Sequence, residues 1–178
     1  MVVVGEADHL VPERVWQELA KGLMEARPSR MFEVLRDCDA LDRVIPEVEQ
    51  LFRMSSTADR TDAGHHTLHV LDYAAAQGHP LEIRYATLFH DTGQSVAGER
   101  GAELVRGASE RLRAPGDCRD LAVLAVELLP LAHAALASDA ESLVDLLQSA
   151  DAFRRPERFA SLLAVCEAAV RGRPGRHG

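Results

Sequence analysis

Apolar residues recur at spacings of three and four along most of the chain, the period of a helix with one buried face. Pro12 opens the first such segment, which carries Val15, Leu19 and Leu23 with Trp16 beside them. Ser29 is placed to cap a second helix through Met31, Phe32 and Leu35, and Leu41, Val44, Val48 and Leu51 form a shorter segment punctuated by Pro46. The polar stretch Met54 to Gly64 reads as a loop. A helix is predicted from His65 to about Gly78, and Gly78-His79-Pro80 stops it and starts another that runs from Leu81 towards Asp91. Gly93 can terminate that helix, and Gly98 and Gly101 read as a tight connection to a helix with Leu104, Val105 and Leu112. Cys118 to Leu136, with a kink expected at Pro130, is apolar nearly all round and so belongs at the centre of a bundle. Ser138 and Glu141 form a capping box before Leu143, Leu146 and Leu147, and Pro156 opens the last helix through Leu162, Leu163 and Cys166. The chain from Arg171 on reads as frayed.

Composition supports the same class. Ala and Leu contribute 27 and 23 of the 178 residues, aromatics only 4%, and β-branched runs bounded by turns are hard to find. An all-α fold of the helical-bundle type is expected, as one globular unit. Lys and Arg total 20 against 28 Asp and Glu, a net charge of −8, which argues against a general nucleic-acid surface. No apolar run reaches the roughly 18–20 residues that cross a bilayer, and no leader pattern is seen at the N-terminus. Cys38, Cys118 and Cys166 are widely spaced and odd in number. A cytoplasmic protein with reduced thiols and no membrane partner is the expectation.

The sharpest chemical feature is His90-Asp91-Thr92-Gly93, two metal-type ligands where a strongly apolar helix gives way to glycine. His66 lies 24 residues earlier on the preceding helix, and Asp151 lies 60 residues after Asp91, following a capped amphipathic helix. Two imidazoles and two carboxylates arriving from separate helices suit a divalent ion with mixed nitrogen and oxygen coordination. Nickel, manganese, cobalt, iron, magnesium and zinc are not distinguished by these residues. Other candidates read as structural. His65 and His69 form an i, i+4 pair without the glutamate of a zinc protease helix, and Asp37-Cys38-Asp39 has a two-carboxylate spacing but sits at a helix end with no glycine loop before it. Arg154, Arg155 and Arg158, and Arg171, Arg173 and Arg176, read as solvated charges.

The pattern His66, His90-Asp91, Asp151 resembles that of the HD superfamily of metal-dependent phosphohydrolases. The likeness is closer to one branch, the C-terminal HD domain of the bacterial CCA-adding enzymes, the multifunctional tRNA nucleotidyltransferases, and runs from about Gly5 to Arg173. It is carried by His9-Leu-Val-Pro-Glu-Arg-Val-Trp-Gln-Glu-Leu19, Met31-Phe-Glu-Val-Leu35, Gly64-His-His-Thr-Leu68, Val70-Leu-Asp72, Arg84 to Gly93 and Asp151-Ala-Phe-Arg-Arg-Pro-Glu-Arg158. The resemblance implies an HD-type bundle over residues 29–172, an N-terminal helical segment at 1–28 packed on it, and a disordered tail at 173–178. It implies a metal held by His66, His90, Asp91 and Asp151, and hydrolysis of phosphomonoesters and 2′,3′-cyclic phosphodiesters. His90, Asp91 and Arg100 would then be catalytic, and Arg100, Gln94 and His133 would meet a phosphoester, nucleotide or RNA end. tRNA and a homodimer enter as partners through the resemblance alone.

The chain departs from that pattern in three places. Gln94 stands where the family usually has Lys after the His-Asp pair, and it can hydrogen-bond a phosphate without neutralising it. The following loop is reduced to residues 94–101, with Arg100 matching the arginine of a Gly-Pro-Arg-Gly element. Leu128-Leu129 replaces a Tyr-His pair, although His133 matches a family histidine. No Gly-Ser followed by Asp-x-Asp precedes the helical region, so CCA addition is not expected of this chain. The alternative expectation is a weak or inactive HD scaffold serving in tRNA contact or dimerisation.

Overall fold

The computed structural model describes residues 11–53, 63–92, 99–135 and 140–172. Every element among them is a helix: α1 (Pro12–Leu23), α2 (Ser29–Asp37), α3 (Leu41–Val44), α4 (Pro46–Arg53), α5 (Ala63–Ala76), α6 (Leu81–Phe89), α7 (Glu99–Leu112), α8 (Gly116–Ala135), α9 (Ala140–Ser149) and α10 (Pro156–Arg171). The all-α expectation is met. Gly93, Gln94, Gly98 and Ser138, and the tail from Arg173, lie outside the described residues.

The apolar helix α8 is the centre, packed against α6, α7, α9 and α10. Cys118 and residues 121–126 are buried along it, and the side that reaches water carries Asp117, Asp120 and Glu127. It continues as a helix through Pro130 to Ala135 although the proline supplies no N–H to the carbonyl a turn earlier. Its main partner, α6, is buried at every position from Ile83 to Phe89. On the far side of α6 lies α5, which also contacts α10, α4 and α2, while α1 packs on α6 and α7. This layering places the ends of α5 and α6 side by side within the bundle.

Several helix boundaries differ from those read along the sequence. Ser29 is the first helical residue and caps nothing; instead its N–H and hydroxyl both donate to the Asp72 carboxylate, at 3.0 and 2.7 Å. The cap of α2 is therefore supplied from α5, 43 positions away, which no local pattern encodes. Ala63 and Gly64 already belong to α5 rather than to a loop. Gly64 is required there, since a Cβ would collide with the Phe52 ring. Gly101 lies inside the first turns of α7 and is buried, so it is part of the helix and not of a connection.

One buried cation fastens this frame. Arg84 on α6 is 6% exposed, and its guanidinium donates to the carbonyls of His79 at 2.7 Å and of Leu23 and Glu25 at 2.9 Å each. A further contact reaches the Ala75 carbonyl at 3.5 Å. The Leu23, Glu25 and His79 oxygens lie at or just beyond the ends of α1 and α5, where the helix dipole also favours a cation; the Ala75 carbonyl is shared with the Gly78 N–H. Arg84 thus ties two helix ends to the helix that leads into His90.

Candidate metal centre

His66 comes from the second turn of α5, and His90 and Asp91 follow directly on the last residue of α6. The end of α6 is held by side chains that donate three residues back. Thr87 Oγ1 donates to the Arg84 carbonyl at 2.8 Å, His90 Nδ1 to the Thr87 carbonyl at 2.6 Å, and Thr92 Oγ1 to the Phe89 carbonyl at 2.6 Å. The His90 bond reaches a carbonyl in the last turn of α6, and the Phe89 carbonyl accepts the Thr92 N–H at 3.0 Å as well as its hydroxyl. Together they fix the direction in which His90 and Asp91 project.

The middle bond also fixes the tautomer of His90. A carbonyl only accepts, so Nδ1 carries a proton, and in the neutral ring Nε2 carries the lone pair. That Nε2 is fully buried, has no hydrogen-bond partner, and faces Asp91 Oδ2 at 3.3 Å. The Nε2 of His66 is 3.7 Å from the same oxygen, and the two imidazoles meet edge to face with centroids 5.4 Å apart. The donor atoms of His66, His90 and Asp91 all lie within 4.8 Å of one another.

A lone pair facing a carboxylate oxygen in a buried site is unfavourable until a proton or a cation lies between them. The separations also suit a shared ion. Donors bound at ~2.0–2.2 Å in a tetrahedral shell stand ~3.4 Å apart, close to the 3.3 and 3.7 Å found here. His90 and Asp91 are 2% and 5% exposed, whereas the side chain of His66 is 17% exposed and forms the open edge. Two nitrogens and one oxygen, preoriented, are a donor set for a divalent transition ion.

The remaining expected residues stand apart from this cluster. Asp151 is not among the converging donors; its carboxylate is 37% exposed and lies 3.8 Å from Arg155 Nε. Arg100 is exposed in the first turn of α7 and lines a groove with Glu47 and Arg111. His133 is half-buried in the last turn of α8. Of the residues read as structural, His65 and His69 are exposed, with His65 edge-on to Phe52 at 5.3 Å. Asp37, Cys38 and Asp39 form an exposed helix end. Thr87 was not singled out from the sequence; its spacing of three residues before His90 is the signal that marks it as the histidine's support.

The chain is similar to known proteins along nearly its whole length. A family model described as the probable RNA and SrmB-binding site of polymerase A matches residues 7–52. The chain is 47% identical over 189 residues to a multifunctional CCA protein of Paraburkholderia phytofirmans, and 49% identical to one of Cupriavidus taiwanensis. A further multifunctional CCA protein, from Burkholderia vietnamiensis, is 47% identical. Each match covers 98% of this chain and 46% of the relative, so the chain spans about half the length of the curated relatives it matches.

Proposed function

Because the chain is a homologue of multifunctional CCA proteins along nearly its whole length, we propose that it is a divalent-metal-dependent phosphohydrolase of the HD type, acting on phosphomonoesters or 2′,3′-cyclic phosphodiesters of nucleotide or RNA-end type. The observation that carries the reading is the buried Nε2 of His90, aimed with His66 at one carboxylate oxygen of Asp91. These three residues are the proposed ligands, and Asp151 the fourth. The chemistry that such an ion supplies is acidification of water towards neutrality and a counter-charge for the phosphate.

The side chains do the rest. His90 holds its lone pair in place through the Thr87 carbonyl, and the second oxygen of Asp91 accepts a hydrogen bond from the attacking water. That water forms the new P–O bond as the ester P–O bond breaks, and the proton it loses ends on the departing ribose or alcohol oxygen. Arg100 is the proposed cation for the phosphate, with Gln94 and His133 as further substrate contacts.

A second reading is favoured by one observation, the orientation of Asp151 towards Arg155. On that reading the chain keeps the scaffold and serves in tRNA contact or dimerisation with little turnover. A single preparation separates the two. Bound metal is measured, and hydrolysis of 2′,3′-cyclic nucleotides and of a generic phosphodiester is assayed with several divalent ions beside His90→Ala and Asp91→Ala. Turnover abolished in both variants supports the hydrolase. Stoichiometric metal with no turnover under any ion leaves the scaffold, and no bound metal removes the hydrolase.

A further inference from the structure

We propose that the cleft where α7, α8, α9 and α10 meet binds a phosphate group through Arg106, Arg119 and Arg158. Its lining does not include His66, His90 or Asp91. The cavity holds about 300 Å³, and its lining includes the apolar Val123 and Leu124 as well as Ser149. On a chain whose acidic residues outnumber the basic ones 28 to 20, three guanidiniums around one small cleft are not the background.

Two of the three are already neutralised. Arg106 pairs with Glu127 at 3.0 Å and Arg119 with Asp120 at 2.9 Å. Each pair uses only part of its guanidinium, Nη2 of Arg106 and Nε and Nη2 of Arg119, so further N–H donors remain on both. Arg158 is different. Its Nε is fully buried with no hydrogen-bond partner, and among the described residues no carboxylate comes within ion-pair distance of it, although Asp117 and Glu157 line the cleft on its other side. The residue as a whole is half-buried, and a guanidinium N–H left without an acceptor is costly, so its surroundings favour an anion. Arg158 also lies in the first turn of α10, whose dipole is positive at that end.

Phosphate fits this arrangement better than a carboxylate does. Three arginines against two paired carboxylates leave one uncompensated positive charge in the lining. A phosphate offers enough oxygens to take a bidentate bond from Arg158 and single bonds from the other two forks, whereas a carboxylate has two oxygens for three donors. The same chemistry is presented by a free phosphate and by the backbone of RNA, and the measurement distinguishes them.

The full chain, with no metal added, is titrated with inorganic phosphate and separately with a short duplex RNA, following heat of binding and thermal midpoint. Phosphate is expected to raise the midpoint of the wild type. Arg158→Gln and Arg119→Gln are expected to bind about 10-fold or more weakly, Arg158→Lys to recover part of the affinity, and His90→Ala to bind as the wild type does. If RNA also binds, and Arg158→Gln lowers its salt slope by about one, the ligand is a backbone phosphate; binding of inorganic phosphate alone identifies a free one. Equal responses of wild type and Arg158→Gln would overturn the proposal, as would absence of binding by either ligand at roughly 10 mM phosphate. Because His90→Ala leaves this site intact, its failure is separable from failure of the metal site.

Discussion

The imidazole of His90 is anchored through Nδ1 to the Thr87 carbonyl, which leaves the buried Nε2 facing Asp91 Oδ2 at 3.3 Å. Asp91→Asn preserves the shape of that corner but removes the charge a cation needs, so affinity for a divalent ion is expected to fall by about 100-fold or more in competition with a chelator. Unchanged affinity would remove Asp91 from the ligand set. His66, His90 and Asp91 were legible in the sequence because metal chemistry restricts residue type, and helical spacing places those types on neighbouring helices. Arg84 was not legible in its role. Its acceptors are main-chain oxygens as far as 61 positions away, and carbonyls leave no mark on residue identity. Arg84→Met leaves those carbonyls buried and unpaired and is expected to cost about 3 kcal/mol or more in urea unfolding, with Arg84→Lys recovering part.

Four helices end in the same way, with a left-handed residue whose own N–H and its successor's N–H return to the last turn. Gly78 does this with φ 71°, and Asp39, Arg113 and Asp151 do it at φ 57°, 59° and 51° without being glycine. At Asp151 the bonds are its N–H to the Gln148 carbonyl at 3.0 Å and the Ala152 N–H to the Leu147 carbonyl at 2.9 Å. Proline and glycine were readable as boundaries where they act as such, at Pro12, Pro46, Gly78 and Pro156. They misled at Gly101, where a buried position within a helix selects a small residue. At the three non-glycine ends the left-handed geometry was not read, because Asp tolerates that backbone without requiring it and Arg gives no sign of it. For Asp151 this yields a clean separation of roles. Asp151→Gly relieves a left-handed cost of about 1 kcal/mol and is expected to raise the urea midpoint, whereas Asp151→Ala keeps the strain and is not. If Asp151→Gly is more stable yet loses metal, the carboxylate is a ligand; if it keeps metal, the residue only ends α9.

At the scale of the whole chain, net charge and buried protons govern how stability responds to pH. The stretch matched by the RNA-binding family model carries ten acidic residues against six basic ones, so RNA contact there would have to rest on few cations, and the converging arginines lie elsewhere in the bundle. Inside, burial pushes the Cys118 thiol up to about 12 and the Cys166 thiol up to about 11, and holds the Tyr85 hydroxyl above its ordinary range, where it donates to Ser109 Oγ at 2.9 Å. Each of these groups keeps its proton longer in the folded chain than in the unfolded one. Their contribution is therefore fully present below the ordinary thiol value near 8.5 and is lost as pH rises through the folded values. The thermal midpoint is expected to be flat from pH 7 to 8 and to fall steadily from about 9 to 11, as accumulating negative charge on an already acidic chain adds repulsion. A Cys118→Ala, Cys166→Ala double variant, less stable at neutral pH for its lost packing, should show a shallower alkaline slope; an equal slope would assign the loss to other groups. The same burial predicts how the thiols react. Cys38 is exposed while Cys118 and Cys166 are buried, so a thiol reagent should titrate one group quickly in the native protein and all three only in denaturant. Two fast thiols would mean that α8 or α10 is not seated in the core as described.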